Sequence, residues 1–555
     1  MASNATQSTD QNMLPKVLVF FLLCLFFFVS FRPIFSNDIW LHLKVGELIA
    51  DSPFNLPKAD PFSYTTSGRP WILHEWLSQF LFFKTYQFAG FTGLRLLRSV
   101  VETLTIALFF CAAYGQTRRY FLSLGTLLVV AYLLRTRFHI RPEIFSHLFM
   151  ALFFLTYFTT RKHKTWLLLP ISLGFVAWVN MHSFMVIVIA ILLVGLISRG
   201  LVWIGPLQNY FAKPSGSKFK AAMLVSAVLA VFLTPYASKT FDYVFAGSQV
   251  ARDYIMEWQP IFISLQREPF VTLRGAISFP LFLKVVVLSI VIVFLGGLLL
   301  SLLWKKSPKW PMDWALVGLM MSGLALSAIR FVWLLTIPLI LTAHYIAMVL
   351  DTADRAGKRH ALPKIIAWVL FWAGIAFWIN AGRTAIPLNM HQMIDNDRYP
   401  TSIADILAQV HLQGHMFNPY GWGGYLAFYL YPDYKVFLDG RTVLHGPDLL
   451  RDHYTILHEN PGHQRLIAEK YQFDFMILPK QYGMMSTCSA NSWILVFENY
   501  NSSLYLRRDQ ANLSNLHRLA DYYKINGIPF DIEKGFDVSL ATRSNPQWAL
   551  RYGMR

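Results

Sequence analysis

Long apolar runs, broken by short basic or longer polar segments, fill the chain from Leu14 to about Asn380 and then stop. Runs that can cross a bilayer, each needing ~17–25 residues, recur at 14–35, 93–115, 120–134, 144–160, 166–179, 184–203, 221–236, 280–304, 314–328, 331–350 and 362–379. The pattern predicts a polytopic α-helical membrane protein with about eleven transmembrane helices. The first run, Leu14 to Phe35, is too long for a secretory h-region and no small-x-small cleavage site follows it. It is expected to stay as a spanning helix behind a cytoplasmic tail, residues 1–13. The run Glu75–Ala89 is short, is interrupted by Lys84 and Gln87, and precedes Gly90 and Gly93. It suits a helix lying in the interface rather than crossing.

Past 380 the pattern changes. Short apolar runs at Met416-Phe417, Lys435–Leu438, Phe473–Leu478, Trp493–Phe497 and Ser503–Leu506 alternate with helix-like stretches near Ile403–His411, Pro447–His458 and Gln464–Tyr471. Such alternation predicts an α/β domain with a mostly parallel sheet. The expected organisation is therefore a tail at 1–13, a transmembrane domain at 14–380 with a long first outer loop at 36–92, and an extracytoplasmic α/β domain at 381–555.

Charge orients this arrangement. The sequence has 49 Lys+Arg against 31 Asp+Glu, a net charge of +18, and the basic residues concentrate in alternate short loops. Those loops hold Arg118-Arg119, Arg161–Lys164, the Lys213/Lys218/Lys220 group, Lys305-Lys306 with Lys309, and Arg355 with Lys358-Arg359. Cytoplasmic loops retain such residues, so the N-terminus is expected inside and the C-terminal domain outside, periplasmic or extracellular. The excess charge thus reports membrane orientation, and nucleic acid is not an expected partner. Only 14% of residues are charged and 55% are hydrophobic, where a soluble domain carries about 25% charge. An ordinary cytosolic enzyme and a disordered chain are both excluded. Cys24, Cys111 and Cys488 lie too far apart in sequence to suggest a disulfide framework or metal knuckle.

The unusual polar residues gather in the outer segments, where ionisable groups near hydrocarbon are costly and need a reason. Asp38 directly follows the first apolar run, at the depth where a carboxylate meets a substrate anchored in lipid. It can serve as a general base for an acceptor hydroxyl or amine, or as the N-cap of a helix over Ile39–Ala50. His74 and Glu75 offer an imidazole and a second acid, either at a helix start or, with Asp38 or Asp60, around a divalent cation such as Mg or Mn. Asp60-Pro61 also reads as a turn. Arg135, Arg137 and Arg141 crowd one short outer turn and Arg330 repeats the situation. Guanidiniums match phosphate oxygens, or snorkel to headgroups. Asn180 and His182 form another outer turn, and Glu257-Trp258 lies in a long outer loop. In the C-terminal domain, Asn418 to Tyr425 combines glycines with aromatics such as Trp422 that can stack on a sugar ring. Val436–Leu438 reads as a buried strand ending in Asp439-Gly440-Arg441, at the carboxyl end where ligands bind, or where an Asp439–Arg441 ion pair holds the turn. No Walker loop, Rossmann fingerprint, zinc-protease motif or nucleophile elbow is present.

Taken together, Asp38-Ile39-Trp40-Leu41-His42, Asp60–Tyr64, His74-Glu75-Trp76, Arg141-Pro142, Trp178–His182, Asn418 with Trp422–Tyr425, and Asp439-Gly440-Arg441 resemble a bacterial multi-pass family of the GT-C glycosyltransferase superfamily. That class includes lipid-phosphate-sugar mannosyltransferases and the aminoarabinose transferase of lipid A. The resemblance implies a GT-C-like core, a catalytic acid just after the first helix, here Asp38, and a supporting acid, here Glu75 with His74. It further implies a polyprenyl-phosphate sugar donor and inverting transfer to a glycan, lipid or protein acceptor on the outer face. Arg135, Arg137, Arg141 or Arg330 would hold the lipid phosphate, and His42, Asp60, Asn180, His182, Trp422, Asp439 and Arg441 would complete the substrate site. The competing class is a non-enzymatic transporter or assembly factor for lipid-linked saccharides, although a transporter tends to show repeats and midplane polar residues.

Overall fold

The computed structural model describes residues 3–34, 36–52, 55–135, 137–159, 165–204, 206–237, 239–264, 279–304, 308–355, 398–480 and 492–554. The expected span at 362–379, Cys488, and the basic positions Arg161, Lys162, His163, Lys164, Lys305, Lys306, Lys358 and Arg359 lie outside the described residues. The chain divides into two compact units. The first comprises Met1–Pro33 and Ala89–His391, and the second Ile34–Phe88 and Gln392–Arg555. Residues 36–88 of the long first loop thus cluster with the C-terminal segment.

The first unit is helical. Its elements include α1 (Ser3–Ser30), most of α3 (Trp76–Thr117), α4 (Tyr120–Arg135) and α5 (Glu143–Thr159), followed by apolar helices at Leu168–Met181, Met185–Leu201, Ser217–Phe232, Phe279–Leu303, Met312–Ser327 and Thr336–Arg355. Among the described residues, Trp76–Thr117, Leu283–Leu303 and Ile329–Thr352 are long and apolar enough to cross a membrane, and the apolar stretches of the others, such as Lys16–Ser30 of α1, are shorter. Ile191, Leu192, Trp333, Leu334 and Ile340 are fully buried in its core. Phe20, Leu229, Ile292 and Leu303 instead lie exposed on its outside. Each such side chain left in water forgoes ~1.5–3 kcal/mol, so a surface of this kind is one for lipid.

Two arginines that the apolar pattern conceals close the end of α1. Arg98 Nε and Nη2 donate to Ser30 O at 3.0 and 2.6 Å, and Arg95 Nη2 donates to Phe31 O at 2.7 Å. A helix ends with four unsatisfied carbonyls, and buried guanidiniums take them up. Helix α3 is broken at Ala89 (φ −139°, ψ 18°) and Gly90 (φ 57°, ψ −153°), where the two units divide. Gly90 holds a backbone conformation that residues with a Cβ resist. The break separates the run ending at Ala89 from the apolar run that begins at Gly93.

The second unit carries α2 (Asp38–Asp51) and a four-stranded sheet. With β1 (Phe211–Ala212) and β2 (Trp310–Pro311) forming a small parallel pair in the first unit, the strands here are β3 (Met416–Phe417), β4 (Phe475–Pro479), β5 (Trp493–Glu498) and β6 (Ser502–Arg507), in the order β3-β4-β6-β5. Only β3 and β4 pair in parallel, whereas β4–β6 and β5–β6 are antiparallel. This corrects the expectation of a mostly parallel sheet. Just Asn499–Asn501 link β5 to β6, which allows a hairpin and no crossover. The expected strand at Lys435–Leu438 is an isolated bridge instead: Val436 pairs in parallel with Ser63. Asn418 supplies the other side, its Nδ2 donating to Leu438 O at 2.9 Å and its Oδ1 accepting from Phe437 N at 2.8 Å. A side-chain amide here completes what a strand backbone would otherwise do.

Candidate functional site

In the second unit the segments singled out by sequence meet. Trp40 of α2 is fully buried among Tyr399, Tyr425, Phe428 and Tyr429, with ring centroids 5.0–5.6 Å away. This aromatic box seats α2 on the helix Gly423–Leu430 and fixes the α2 N-terminus against two glycine turns. A Cβ at Gly421 would stand 3.0 Å from Asn37 Nδ2, and one at Gly424 3.4 Å from Asn37 O. A Cβ at Gly440 would stand 3.0 Å from Asp38 Oδ1. The glycines are there because the backbone must come this close. Asp38 itself is the first helical residue, with Asn37 in the cap position, so it serves α2 as a first-turn acid and not as the N-cap. Its side chain is only half-buried.

Beneath the Gly440 turn lies a fully buried ionic network. Arg441 reaches Asp439 through Nε at 2.8 Å and Nη2 at 2.6 Å, Asp60 through Nη1 at 2.7 Å, and Ser63 Oγ through Nη2 at 3.1 Å. Its guanidinium lies over Phe62 and Trp71. Asp60 also accepts from Phe62 N, Ser63 Oγ and Thr66 Oγ1 at 2.6–2.9 Å, and His445 Nε2 sits 3.1 Å from Asp439 Oδ1. Burial alone would push the Asp439 carboxyl up, but Arg441 and His445 outweigh it and hold the group well below the usual carboxylate range. Burial likewise lowers the Arg441 guanidinium, and Asp439 and Asp60 more than reverse that. Tyr420 closes the notch, its hydroxyl 3.1 Å from Gly440 O and 2.8 Å from Thr442 Oγ1. Burial first, and then the charge of Asp38, push this phenol well above its ordinary range, so it stays protonated.

The other candidates of this unit have structural partners. His42 Nδ1 pairs with Gln79 Nε2 at 3.1 Å, and Trp422 Nε1 donates to Arg398 O at 2.8 Å. His74 and Glu75 stand 3.6 Å apart before α3, and burial pulls the His74 imidazole down to about 4. Among the described residues no group of three or more His, Cys, Asp or Glu side chains that could hold a metal ion forms. Asp60, one expected ligand, is engaged by Arg441.

In the first unit, the turn after α4 builds a second cluster. Arg137 donates through Nε to Glu143 Oε1 at 3.2 Å, pairs through Nη2 with Glu143 Oε2, and donates through Nη1 to Glu257 Oε2 at 2.6 Å. Arg141 stands 3.5 Å from Glu257, while Arg330 lies 3.9 Å from Glu143, 4.0 Å from Glu257 and 4.1 Å above the Trp258 ring. Burial would lower the Arg137 guanidinium, yet Glu143 and Glu257 raise it. Burial would raise Glu257, yet Arg137, Arg141 and Arg330 bring it down to about 2. Arg135 ends α4, half-buried. Asn180 Nδ2 donates to Val176 O at 2.8 Å, and His182 Nδ1 is 2.8 Å from Ser146 Oγ, which also accepts from Trp178 Nε1. His182 thus ties the end of its helix to α5, whereas this Asn180 bond stays within its own helix.

No protein-family model matches the chain, and no curated protein matches it. Among solved structures, archaeal oligosaccharyltransferase AglB from Archaeoglobus fulgidus, in complex with an inhibitory peptide and a dolichol-phosphate, superposes with a TM-score of 0.52 at 12% identity, covering 90% of this chain and 75% of that one. The chain shares the fold of an oligosaccharyltransferase. An apo form of the Archaeoglobus fulgidus enzyme gives a TM-score of 0.48 at 12% identity, over 89% of this chain and 74% of that chain. An AglB-like fold fits the GT-C-like architecture that the sequence motifs suggest.

Sequence reasoning missed Tyr420, Ser63, Thr66, His445 and Glu143. Ser63 and Thr66 carry a weak signal, because hydroxyls three and six residues after Asp60 suit an Asx-type turn. Tyr420 lies within the Asn418–Tyr425 motif, but its bonds to Gly440 and Thr442 about twenty residues on carry no local signal, and nor does the pairing of His445 with Asp439 six residues before it. Two outcomes follow from the unit-2 geometry. Gly440→Ala should cut turnover about tenfold with KM little changed, because the new methyl must displace the Asp38 carboxylate by a few tenths of an ångström. Steady-state kinetics beside a melting curve decide it, and an unchanged kcat would refute the positioning. His453 accepts a bond from Tyr420 N at Nε2, 3.0 Å, and burial holds its imidazole down at about 3. The unfolded chain then binds the extra proton first. The stability this contributes is full above about pH 6.5 and is lost as pH falls toward 3, by ~1.4 kcal/mol per unit once below 6.5. His453→Gln, which keeps an acceptor, should flatten the melting temperature between pH 6.5 and 4.5.

Proposed function

We propose that the protein is an integral-membrane glycosyltransferase that moves a sugar from a polyprenyl-phosphate donor to an acceptor on the outer face of a bacterial inner membrane, with inversion. The acceptor is a cell-envelope glycan, lipid or protein. The observation that carries the reading is the half-buried Asp38 carboxylate, seated against Gly440 at the start of α2. A fold shared with AglB, solved with a dolichol-phosphate and an inhibitory peptide, supports a lipid-phosphate donor and an extended acceptor.

In this reading the acceptor's O–H or N–H proton passes to Asp38 as its heteroatom bonds the anomeric carbon. The carbon–oxygen bond to phosphate breaks on the opposite side and its electron pair leaves with the polyprenyl phosphate. One displacement inverts the centre. Within the first unit, Arg141 and Arg330, with Arg137 held in place by Glu143, are the groups whose forks suit the phosphate of a lipid-linked donor. Asp60, Asp439 and Arg441 hold the turn that positions Asp38, and do not touch the reacting atoms.

The test is transfer of label from radiolabelled polyprenyl-phosphate sugars in membranes with and without the chain. Label that moves to an acceptor only when the chain is present supports the enzyme. No transfer from any of several donors would overturn it in favour of a non-catalytic role.

A further inference from the structure

The arginine cluster of the first unit contains two carboxylates that differ in kind. Glu143 is the first residue of α5, is 3% exposed, and engages the Arg137 fork with both oxygens. Glu257 is 28% exposed and sits on a single 3-10 turn, Met256–Trp258, within the long segment between two apolar helices. It approaches all three guanidiniums, at 2.6, 3.5 and 4.0 Å. Three guanidiniums and two carboxylates give +3 − 2 = +1, and without Glu257 the sum is +3 − 1 = +2. A carboxylate presents two oxygens to a guanidinium fork much as a phosphate does.

We propose that Glu257 is an internal stand-in for a phosphate: its carboxylate occupies the Arg137–Arg141–Arg330 cluster in the free protein and is displaced when a lipid-linked phosphate binds there. This rests on the assignment of those arginines to the donor phosphate. The design has a physical logic. Three guanidiniums left facing one another would repel and carry uncompensated charge near hydrocarbon, at a cost of several kcal/mol. A fully buried carboxylate would cancel that charge permanently and block the ligand. A partly exposed one on a short turn cancels it while leaving solvent a path to the cluster and a carboxylate that a ligand of matching geometry can replace. Glu143, fixed on a helix, stays and keeps Arg137 oriented. Departure of Glu257 also draws on its neighbour Trp258, which stacks against Arg330, while Gln259 O remains tied to Ile329 N at 3.1 Å. The turn therefore has an anchored side and a releasable one.

The experiment is equilibrium binding of a tritiated polyprenyl monophosphate, without sugar, to the full-length protein in phosphate-free maltoside micelles. The wild type is compared with Glu257→Gln, Glu257→Asp and Arg141→Gln. The expected result is that Glu257→Gln binds about tenfold more tightly than wild type and Arg141→Gln more weakly, while unphosphorylated polyprenol binds all four alike. Glu257→Asp, which keeps the charge, should stay near wild type and reports on the site if the Gln variant melts early. Phosphatidylglycerol and inorganic phosphate serve as competitors. If either displaces the probe as well as unlabelled polyprenyl phosphate does, the site reads any phosphate and the lipid-linked assignment falls. Should wild type bind in an Arg141-dependent way while Glu257→Gln binds no more tightly, the stand-in role is refuted and the arginine assignment survives. Binding indifferent to Arg141 would sink both.

Discussion

Asp38→Asn should abolish sugar transfer while the protein inserts, folds and melts as the wild type does. The substitution is isosteric and removes only the charge. For stability the loss is small, since a carboxylate in the first turn of a helix contributes ~0.3–1 kcal/mol through the helix dipole, and Asp38 is half-buried in a unit whose core lies elsewhere. For turnover the loss is large. A positioned general base is worth ~10²–10⁴ in rate, and an amide cannot take the acceptor's proton. Asp38→Glu should recover little of this, because the carboxylate already abuts the Gly440 backbone and an added methylene has no room on that side. The measurement is initial transfer rate in membranes, normalised to protein recovered by size-exclusion. Transfer by Asp38→Asn within a factor of a few of wild type would remove Asp38 from the chemistry.

The second large effect concerns folding. Arg441→Met should destabilise the second unit by ~3–5 kcal/mol, because it leaves Asp60 and Asp439 buried without their shared counter-charge. For a unit of this size ~1 kcal/mol corresponds to ~2–4 °C, so the melting temperature of the full chain in detergent should fall on the order of 10 °C. Arg441→Lys should lie between, since an ammonium cannot serve Asp439 through two nitrogens while reaching Asp60 and Ser63. The destabilisation should shrink as pH falls below about 4. There the carboxylates left without Arg441 take up protons, and the wild type loses the stability that depressed Asp439 supplies only above its unfolded value. A melting temperature within about 2 °C of wild type at neutral pH would show that the network is not what holds the turn.

The two experiments separate roles that the motifs alone leave merged. Asp38, Asp60 and Asp439 all read as acids in outer segments. The structure makes Asp60 and Asp439 partners of one arginine, and leaves Asp38 as the carboxylate that meets solvent beside them. Arg137 likewise is shared between Glu143 and Glu257, and Glu257, which Arg141 and Arg330 also face, is a residue the sequence places in a loop without saying what it meets.

What the sequence by itself determined was set by local periodicity and composition. Unbroken apolar runs could only be buried or lipid-facing helices, and the helices at 120–135, 143–159, 185–201 and 312–327 lie where the runs are. The change past residue 380 marked a different unit, and Trp493–Phe497 and Ser503–Leu506 are strands as their alternation with turns required. The motif residues were also legible, because Asp, Arg and His beside apolar helices need a reason to be there. The tertiary structure decided everything that depends on contact between distant segments. It placed residues 36–88 with the C-terminal segment, through the Ser63–Val436 bridge and the Asp60–Arg441 pair. It made the sheet mixed, because pairing partners are not encoded in strand propensity. It also turned Asn418 into a strand substitute and Gly440 into the backstop of Asp38. A side chain's charge and size can be read from one position, but its partner, its burial and hence its chemistry are fixed only when the chain returns to it.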